Sequence, residues 1–249
     1  MRAAQVRRGC VSMGNKDYSH FTVILPTLNE NGTIGAMIGR IGTEYPRMRI
    51  IVVDDGSSDG TRGTVRRLSR SNKRVTLMDR HAEGKRRGLT ASIVDGMRRS
   101  TTEYAIVMDS DMQHPLEKIR EIARQLERGC DIVVAERESV TDWAPYRQLI
   151  SRALMRVGLM VLDAEGSETC KDVFSGFFGV RRSMFMRVYS RNSSRFVGEG
   201  YKVLFDFLKC VDRGSLRIGR VPYVFHVREF GRSKAGYRQG LALLKSFLS

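Results

Sequence analysis

Cysteine is rare in this sequence, and its four residues lie far from one another. No two of them have the short spacing of a zinc-binding motif or of a disulfide framework in a small secreted domain. The sequence therefore gives no support to a structural zinc site or to a disulfide-stabilised fold. We predict free thiols in a reducing compartment at all of these positions: Cys10, Cys130, Cys170 and Cys210.

Long apolar runs are absent as well. No stretch of the sequence reaches the roughly 18 consecutive apolar residues that a membrane-spanning helix requires. The first eight residues, Met1–Arg8, are basic and lack the apolar segment of a secretory signal peptide. We therefore predict a cytosolic protein, for which contact with a membrane surface stays open.

Acidic residues are outnumbered, since 27 Asp and Glu face 43 Lys and Arg and leave a net charge of +16. Such a charge favours anionic partners, which include nucleic acids, lipid headgroups and phosphorylated substrates. The excess is spread over Arg pairs along the chain, and no zinc finger, basic zipper or aromatic RNA-binding pattern accompanies it. We predict no nucleic-acid partner. Two explanations of the positive charge remain, an ordinary solvated surface and a surface that faces a membrane.

Two glycine-rich phosphate-binding motifs are also missing, the G-x-G-x-x-G fingerprint and the Walker loop. What is present from Phe21 onward is an alternation of short apolar runs and amphipathic segments. This pattern predicts βαβ units and a mostly parallel α/β sheet. The predicted strands are 21–26, 49–54, 75–78, 104–109 and 131–135, and the predicted helices are 33–41, 61–69, 89–99 and 116–128.

Three further segments lie outside this alternation. Residues 1–20 are polar and basic, which predicts a disordered leader, and residues 237–249 read as an amphipathic C-terminal tail. A long helix is predicted over 146–162, with its apolar residues on one side and Arg147, Arg152 and Arg156 on the other. That helix either packs on the core or lies at a membrane interface with its basic residues at headgroup level.

Asp109 ends the fourth predicted strand, and Asp111 and Gln113 follow it closely. Like charges crowd there, at the edge where open α/β sheets bind ligands, and a divalent cation would relieve the repulsion. Their oxygen atoms suit Mg²⁺ or Mn²⁺ rather than zinc. A solvated turn that caps the next helix is the alternative explanation.

Two more polar loops end the first and second predicted strands. Residues 26–30 bring Pro26, Asn29 and Glu30 to the same edge, and in residues 53–61 Gly56 and Gly60 permit tight turns. Carboxylates in such a loop can accept hydrogen bonds from ribose hydroxyls or from a base edge. Each loop alone is equally compatible with a helix-capping turn.

Taken together, these motifs resemble family 2 glycosyltransferases of the GT-A fold, and most closely the dolichyl-phosphate mannose synthase group. The resemblance extends from about residue 21 to residue 236, which we take as one GT-A domain. Its most specific parts are the Gln-His-Pro that follows Asp111 and a Ser-Gly-Phe-Phe segment. It rests on P-T-x-N-E at 26–30, D-D-G-S at 54–57, D-x-D-x-Q-H-P at 109–115, Y-R-x-L-I-S at 146–151, K-D-x-x-S-G-F-F at 171–178 and G-x-S-K at 231–234.

The resemblance implies roles for individual residues. Asp109, Asp111 and Gln113 would hold Mg²⁺ or Mn²⁺ against the donor diphosphate, and Ser110 lies among the substrate-binding residues. The nucleoside pocket would comprise Pro26, Leu28, Glu30, Val53 and Asp55. Contacts to the diphosphate or to the acceptor phosphate would come from Arg137, Lys202, Arg228 and Lys234. The acceptor region would comprise Tyr146, Arg147 and Ser151. Asp109, Asp111, Arg137 and Arg228 are the predicted catalytic residues.

The implied reaction is an inverting transfer of mannose from GDP-mannose to a polyprenyl (dolichyl) phosphate. It would take place at the cytosolic face of a membrane (the endoplasmic reticulum in a eukaryote), where small membrane-anchoring subunits are possible partners. Leu28 stands where mannose synthases often have Tyr, and Arg232 replaces a common acidic residue, so a UDP-glucose donor or another sugar transfer stays an alternative. An alternative of another class is a non-catalytic basic protein that binds membranes or nucleic acid.

Overall fold

The computed structural model describes residues 17–85, 87–140, 145–198 and 202–225. Strands and helices alternate through the first half of the chain, as the sequence predicts. The strands are β1 Phe21–Thr27, β2 Arg49–Asp54, β3 Val75–Asp79, β4 Tyr104–Val107, β5 Ile132–Val140, β6 Phe178–Arg181 and β7 Ile218–Phe225. The helices are α1 Ile34–Glu44, α2 Thr61–Ser71, α3 Leu89–Arg99, α4 Lys118–Glu127, α5 Pro145–Ala164, α6 Arg182–Arg191 and α7 Val203–Leu208, with a short 3₁₀ turn at Ser193–Arg195.

The seven strands of the described residues form one sheet in the order β3-β2-β1-β4-β6-β5-β7. β1, β2, β3 and β4 pair in parallel, β6 runs antiparallel to both β4 and β5, and β7 is parallel to β5. Six strands therefore point one way, and their carboxyl ends lie along one edge. The predicted mostly parallel α/β sheet is confirmed.

Helices cover both faces of this sheet, because side chains alternate along each buried strand. In β1, Val23 and Leu25 pack into the core on the side of α1, α2 and α4. Ile24, between them, packs on the opposite side with α3, α6 and α7. The result is a three-layer α/β/α arrangement in which the packed sheet positions the strand ends of the carboxyl edge.

Two details of the first half differ from the sequence predictions. The first strand extends beyond the predicted residues 21–26, since Pro26 pairs in register with Val53 and β1 continues to Thr27. Tyr18, in the span predicted as a leader, is only 3% exposed and packs edge-on against Tyr45. Folded structure therefore includes residues before Phe21, while residues 1–16 and the predicted tail 237–249 lie outside the described residues.

The predicted helix over 146–162 is present as α5. It packs on the core with its half-buried and buried residues, and a Cβ at Gly158 would meet the Phe174 ring at 2.8 Å, so small size is required at that contact. The apolar side that the sequence indicates is largely exposed. Its exposed side chains are Leu149 (70%), Ile150 (54%), Leu154 (36%), Val157 (42%) and Met160 (69%).

No helix in the described part of the chain is long and apolar enough to cross a membrane. The three cysteines in that part, Cys130, Cys170 and Cys210, are free thiols, as predicted. Burial raises the pKa of the Cys170 thiol to about 12, so this group stays protonated and unreactive at neutral pH.

Candidate active site

The polar loops that follow β1 and β2 interlock at the carboxyl edge. The backbone N–H of Asn29 donates to Ser57 Oγ at 2.8 Å, and the N–H of Ser58 donates to Asn29 Oδ1 at 2.8 Å. The N–H of Glu30 donates to Thr61 Oγ1 at 2.9 Å. Asn29 adopts a left-handed conformation (φ 52°), and these hydrogen bonds stabilise it. The predicted residues of the two loops are therefore brought together.

Asp54 and Asp55 are adjacent in sequence but have different roles. The Asp54 side chain is fully buried, and its Oδ1 accepts the backbone N–H groups of Gly56 (3.0 Å) and Ser57 (2.9 Å), which shapes the turn. The Asp55 side chain lies at the edge, 12% exposed. Asp54 is thus a structural carboxylate, and Asp55 is the one placed to meet a ligand.

Arg80 is a buried cation that sequence reasoning missed. Its side chain is 3% exposed and forms ion pairs with Asp55 and with Asp95, the latter at 3.0 Å. Nη1 also donates to Ser92 Oγ at 3.2 Å, so one guanidinium joins the loop after β2 to α3. A single Arg immediately after a strand end was the available signal. A buried charge is tolerated only when it is paired, so the ion pair between Arg80 and Asp55 should be maintained. This pair fixes the position of the Asp55 carboxylate.

The loop after β4 holds the two carboxylates of the D-x-D motif. Asp111 is 2% exposed and its Oδ1 accepts the Gln113 N–H at 3.1 Å, whereas the Asp109 side chain is 27% exposed. Met112, which follows Asp111, has a φ of 64°, a conformation that non-glycine residues adopt at a cost. Ser110 ties the loop to the β1 side through Oγ to the Pro26 carbonyl at 3.4 Å.

His114 anchors the same loop through its buried ring. Its ring is buried, stacks on Phe177 (centroids 5.0 Å apart) and meets Tyr223 edge-on (5.8 Å). Nδ1 accepts the backbone N–H of Asp109 at 3.1 Å, so the proton of the neutral ring is assigned to Nε2. From the sequence, His114 is recognisable only as part of a motif. The structure gives it a position directly beneath Asp109.

Burial lowers the pKa of His114 to about 4. A histidine with a depressed folded-state pKa contributes stability above its unfolded pKa of about 6.5, and this stability is lost as the pH falls toward 4. We expect the wild type, in EDTA, to lose about 3 kcal/mol more unfolding free energy than His114→Asn between pH 7 and pH 4. Urea unfolding at both pH values measures the difference, and equal losses in the two proteins would contradict it.

The donor set of the β4 loop fits a hard divalent cation. Among the described residues no cluster of three or more His, Cys, Asp or Glu is suited to a metal. Asp109, Asp111 and Gln113 would supply oxygens only, and Mg²⁺ is commonly held by one or two carboxylates with the remaining positions filled by water and substrate phosphates. Gly176 adds room, since a Cβ there would touch the Asp109 carboxylate at 3.5 Å.

Arg137 reaches the site from the carboxyl half of β5 through a two-point ion pair. Nε donates to Asp172 Oδ2 at 2.7 Å and Nη2 to Oδ1 at 2.9 Å, and the two side chains are 19% and 6% exposed. Burial acts to lower the pKa of Arg137, but the hydrogen bonds and charge of Asp172 outweigh it and raise the pKa. Asp109 contributes to the same effect, so Arg137 is electrostatically coupled to the D-x-D loop. The role of Asp172 was not predicted.

Four other predicted site residues lie in the described part of the chain. Leu28 is half-buried in the loop after β1, and Val53 is fully buried in β2. Ser151 lies half-buried on α5, and Lys202 is 3% exposed at the start of α7. The side chains of Tyr146 and Arg147 and all of Arg228 and Lys234 lie outside the described residues, and their predicted roles stay predictions.

Comparison with known proteins identifies the fold and its family. The model of glycosyl transferase family 2 matches residues 22–189 of the chain. The chain belongs to this family. The family that the sequence predicted is therefore confirmed. The family match covers all three polar strand-end loops and the Arg137–Asp172 pair.

Several relatives in the family are mannosyltransferases. The dolichol-phosphate mannosyltransferase of Pyrococcus furiosus is 31% identical over 219 residues, which are 86% of this chain and 58% of that protein. The enzyme of the same name from Mycosarcoma maydis is 29% identical, with 86% and 72% covered. The polyprenol monophosphomannose synthase of Mycolicibacterium smegmatis is 28% identical, with 85% and 79% covered. This chain thus spans less than two thirds of the Pyrococcus protein.

Among solved structures, the glucosyl-3-phosphoglycerate synthase of Mycobacterium tuberculosis has a similar fold. Its complex with Mn²⁺, UDP-glucose and glycerol 3-phosphate superposes with a TM-score of 0.63 and covers 91% of this chain and 76% of its own. The sequences are 18% identical, so this likeness establishes the GT-A fold alone.

Proposed function

We propose that this glycosyltransferase moves mannose from GDP-mannose to a polyprenyl phosphate of the dolichyl type. The observation that carries the proposal is the similarity, at 27–31% identity over about 85% of the chain, to four proteins whose names specify mannose transfer to dolichol or polyprenol phosphate. The site geometry supports it. A carboxylate for the nucleoside, a hard-oxygen donor set and a paired arginine lie along one edge of the sheet, at β2, β4 and β5 respectively.

The reaction would be a single displacement with inversion. An oxygen of the acceptor phosphate attacks the anomeric carbon as the bond from that carbon to the GDP oxygen breaks, and the electron pair leaves with GDP. A phosphate monoester is largely anionic near neutral pH, so the acceptor requires little help from a general base. Catalysis then rests mainly on positioning and on stabilising the departing diphosphate.

The residues divide this work by location. Asp55 and the loop after β1 would hold the nucleoside, and Arg137 would donate to diphosphate oxygens, with Arg228, Lys202 and Lys234 as further predicted phosphate contacts. Asp109, Asp111 and Gln113 would hold Mg²⁺ or Mn²⁺, which, when bound, supplies positive charge that stabilises the leaving diphosphate. His114 would keep the Asp109 backbone in place.

Calorimetric titration tests the donor assignment. The protein is titrated with GDP-mannose in Mn²⁺ and, in parallel, with UDP-glucose, and transfer to a short polyprenyl phosphate is then followed. We expect tighter binding of GDP-mannose and the formation of polyprenyl-phosphate mannose. Preference for UDP-glucose would replace the donor assignment, and transfer to a soluble acceptor alone would overturn the lipid assignment.

We further propose that the protein works on the cytosolic face of a membrane. The exposed apolar side chains of α5 are accompanied by exposed Arg152 and Arg156, and the chain has a net charge of +16. An interfacial helix combines these features, with apolar residues in the acyl boundary and basic residues near anionic headgroups. The acceptor would also reside there. The membrane-anchoring subunits that the sequence suggests stay a prediction.

Replacing two of the most exposed apolar residues should release the protein from membranes. We expect the double variant Leu149→Asp/Met160→Asp to bind vesicles that contain anionic lipid at least about tenfold more weakly, because it loses two large apolar contacts and gains repulsion. Sedimentation with vesicles measures binding. Val224→Asp, an exposed apolar-to-acid change on the β7 edge, is the matched control. Equal binding by both variants would remove α5 from the membrane surface.

A further inference from the structure

Arg87 lies on the turn that follows β2, although it belongs to the loop after β3. Its Nη2 donates to the Gly56 carbonyl at 2.9 Å, and the Arg87 side chain is otherwise exposed. Gly56 has a φ of 95°, and a Cβ there would meet the guanidinium at 3.1 Å. Gly56 adopts the left-handed conformation of this turn and has no side chain, so the Arg87 guanidinium can lie against it.

The loop that carries Arg87 is fastened to the same turn on both sides of it. Arg80, at the start of the loop, forms the buried ion pair with Asp55. Gly88, at its end, donates its backbone N–H to Asp55 Oδ2 at 2.8 Å. Because two independent contacts fix the loop on Asp55, Arg87 is held close to this carboxylate.

The position along the sheet edge decides which part of a nucleotide would meet Arg87. Neighbouring strands are about 4.8 Å apart, and β1 separates β2 from β4, so the ends of β2 and β4 are about 10 Å apart. A diphosphate held at the D-x-D loop after β4 would therefore place the nucleoside, not the phosphates, over the turn after β2.

We propose that Arg87 is a specificity-determining residue that reads the guanine base of the donor, an inference that rests on the proposed use of GDP-mannose. A guanidinium presents paired donors, and guanine offers adjacent acceptors, O6 and N7. Adenine replaces O6 with an amino donor, and uracil has only one acceptor on that edge. Asp55, fixed beside Arg87, adds an acceptor for ring N–H groups.

Nucleotide affinities of variants test the assignment, measured by calorimetry in Mg²⁺. We expect Arg87→Ala to bind GDP about tenfold more weakly, while its affinities for ADP and UDP change less than twofold. Arg87→Lys should remain weak, because a lysine keeps the charge but not the paired donors. 7-Deaza-GDP, in which carbon replaces N7, keeps O6 but loses one of the two acceptors. The wild type should bind it more weakly than GDP, and Arg87→Ala should weaken its binding less than it weakens the binding of GDP.

Arg99→Ala is the matched control, because it removes the same charge from an exposed position at the far end of α3. It should bind GDP like the wild type. Equal losses for GDP, ADP and UDP in Arg87→Ala, full recovery in Arg87→Lys, or unchanged GDP affinity would each overturn the role of Arg87 and leave the proposed function standing. A wild type that prefers UDP would overturn the proposed function and this inference with it.

Discussion

Asp111→Asn is expected to lower mannosyl transfer by at least about 10³-fold while the fold stays intact. The change removes one negative charge from the proposed cation site, and the loss of leaving-group stabilisation amounts to several kcal/mol. The local turn should survive, because Asp111 Oδ1 accepts the Gln113 N–H and an amide oxygen can accept it equally. The strained Met112 conformation is thereby retained.

Two measurements separate a lost cation from a damaged fold. Mn²⁺ binding in the presence of GDP, followed by electron paramagnetic resonance, should weaken in Asp111→Asn, while its thermal midpoint stays near that of the wild type. Asp163→Asn removes the same charge from a side chain that is 74% exposed and should retain activity. Full activity in Asp111→Asn would remove Asp111 from the reaction.

Much of the site was predictable because it depends on local pattern and on one topological rule. Short apolar runs identify β1, β2 and β4, and parallel strands bring their carboxyl ends to one edge. Asp55, Asp109 and Asp111 follow directly from those two facts. The exposed apolar side of α5 was likewise visible as a periodic pattern, although periodicity alone could not decide whether that side faced the core.

The parts that were missed depend on contacts between distant residues. β6 has only four residues and runs antiparallel between β4 and β5, and β7 is an edge strand that contains Pro222, so the sequence of neither resembles a buried parallel strand. The partners of Arg80 and Arg137 lie 25 and 35 residues away in Asp55 and Asp172. No spacing rule connects such pairs, because the fold alone brings them together.

Asp172→Ala is expected to lower kcat/KM by about 10²-fold, although Asp172 is not proposed to touch the substrate. Asp172 holds Arg137 with two parallel hydrogen bonds, and a donor aimed at a developing charge is commonly worth 10²- to 10³-fold in rate. Without Asp172 the guanidinium loses its fixed orientation. Removing one partner of a largely buried pair also costs stability, because it leaves the other charge uncompensated.

A double-mutant cycle distinguishes positioning from an independent contribution. If Asp172 acts through Arg137, Asp172→Ala should add no further loss of kcat/KM in an Arg137→Ala background, and the double variant should regain part of the stability that Asp172→Ala loses. Asp163→Ala, which breaks an exposed pair with Arg213, should leave activity unchanged. Losses that add in the double variant would mean that Asp172 contributes on its own, whereas a pure stability effect would lower the thermal midpoint without changing kcat/KM. Only the coupled result makes the carboxylate of the Lys-Asp motif the residue that aims Arg137 at the diphosphate.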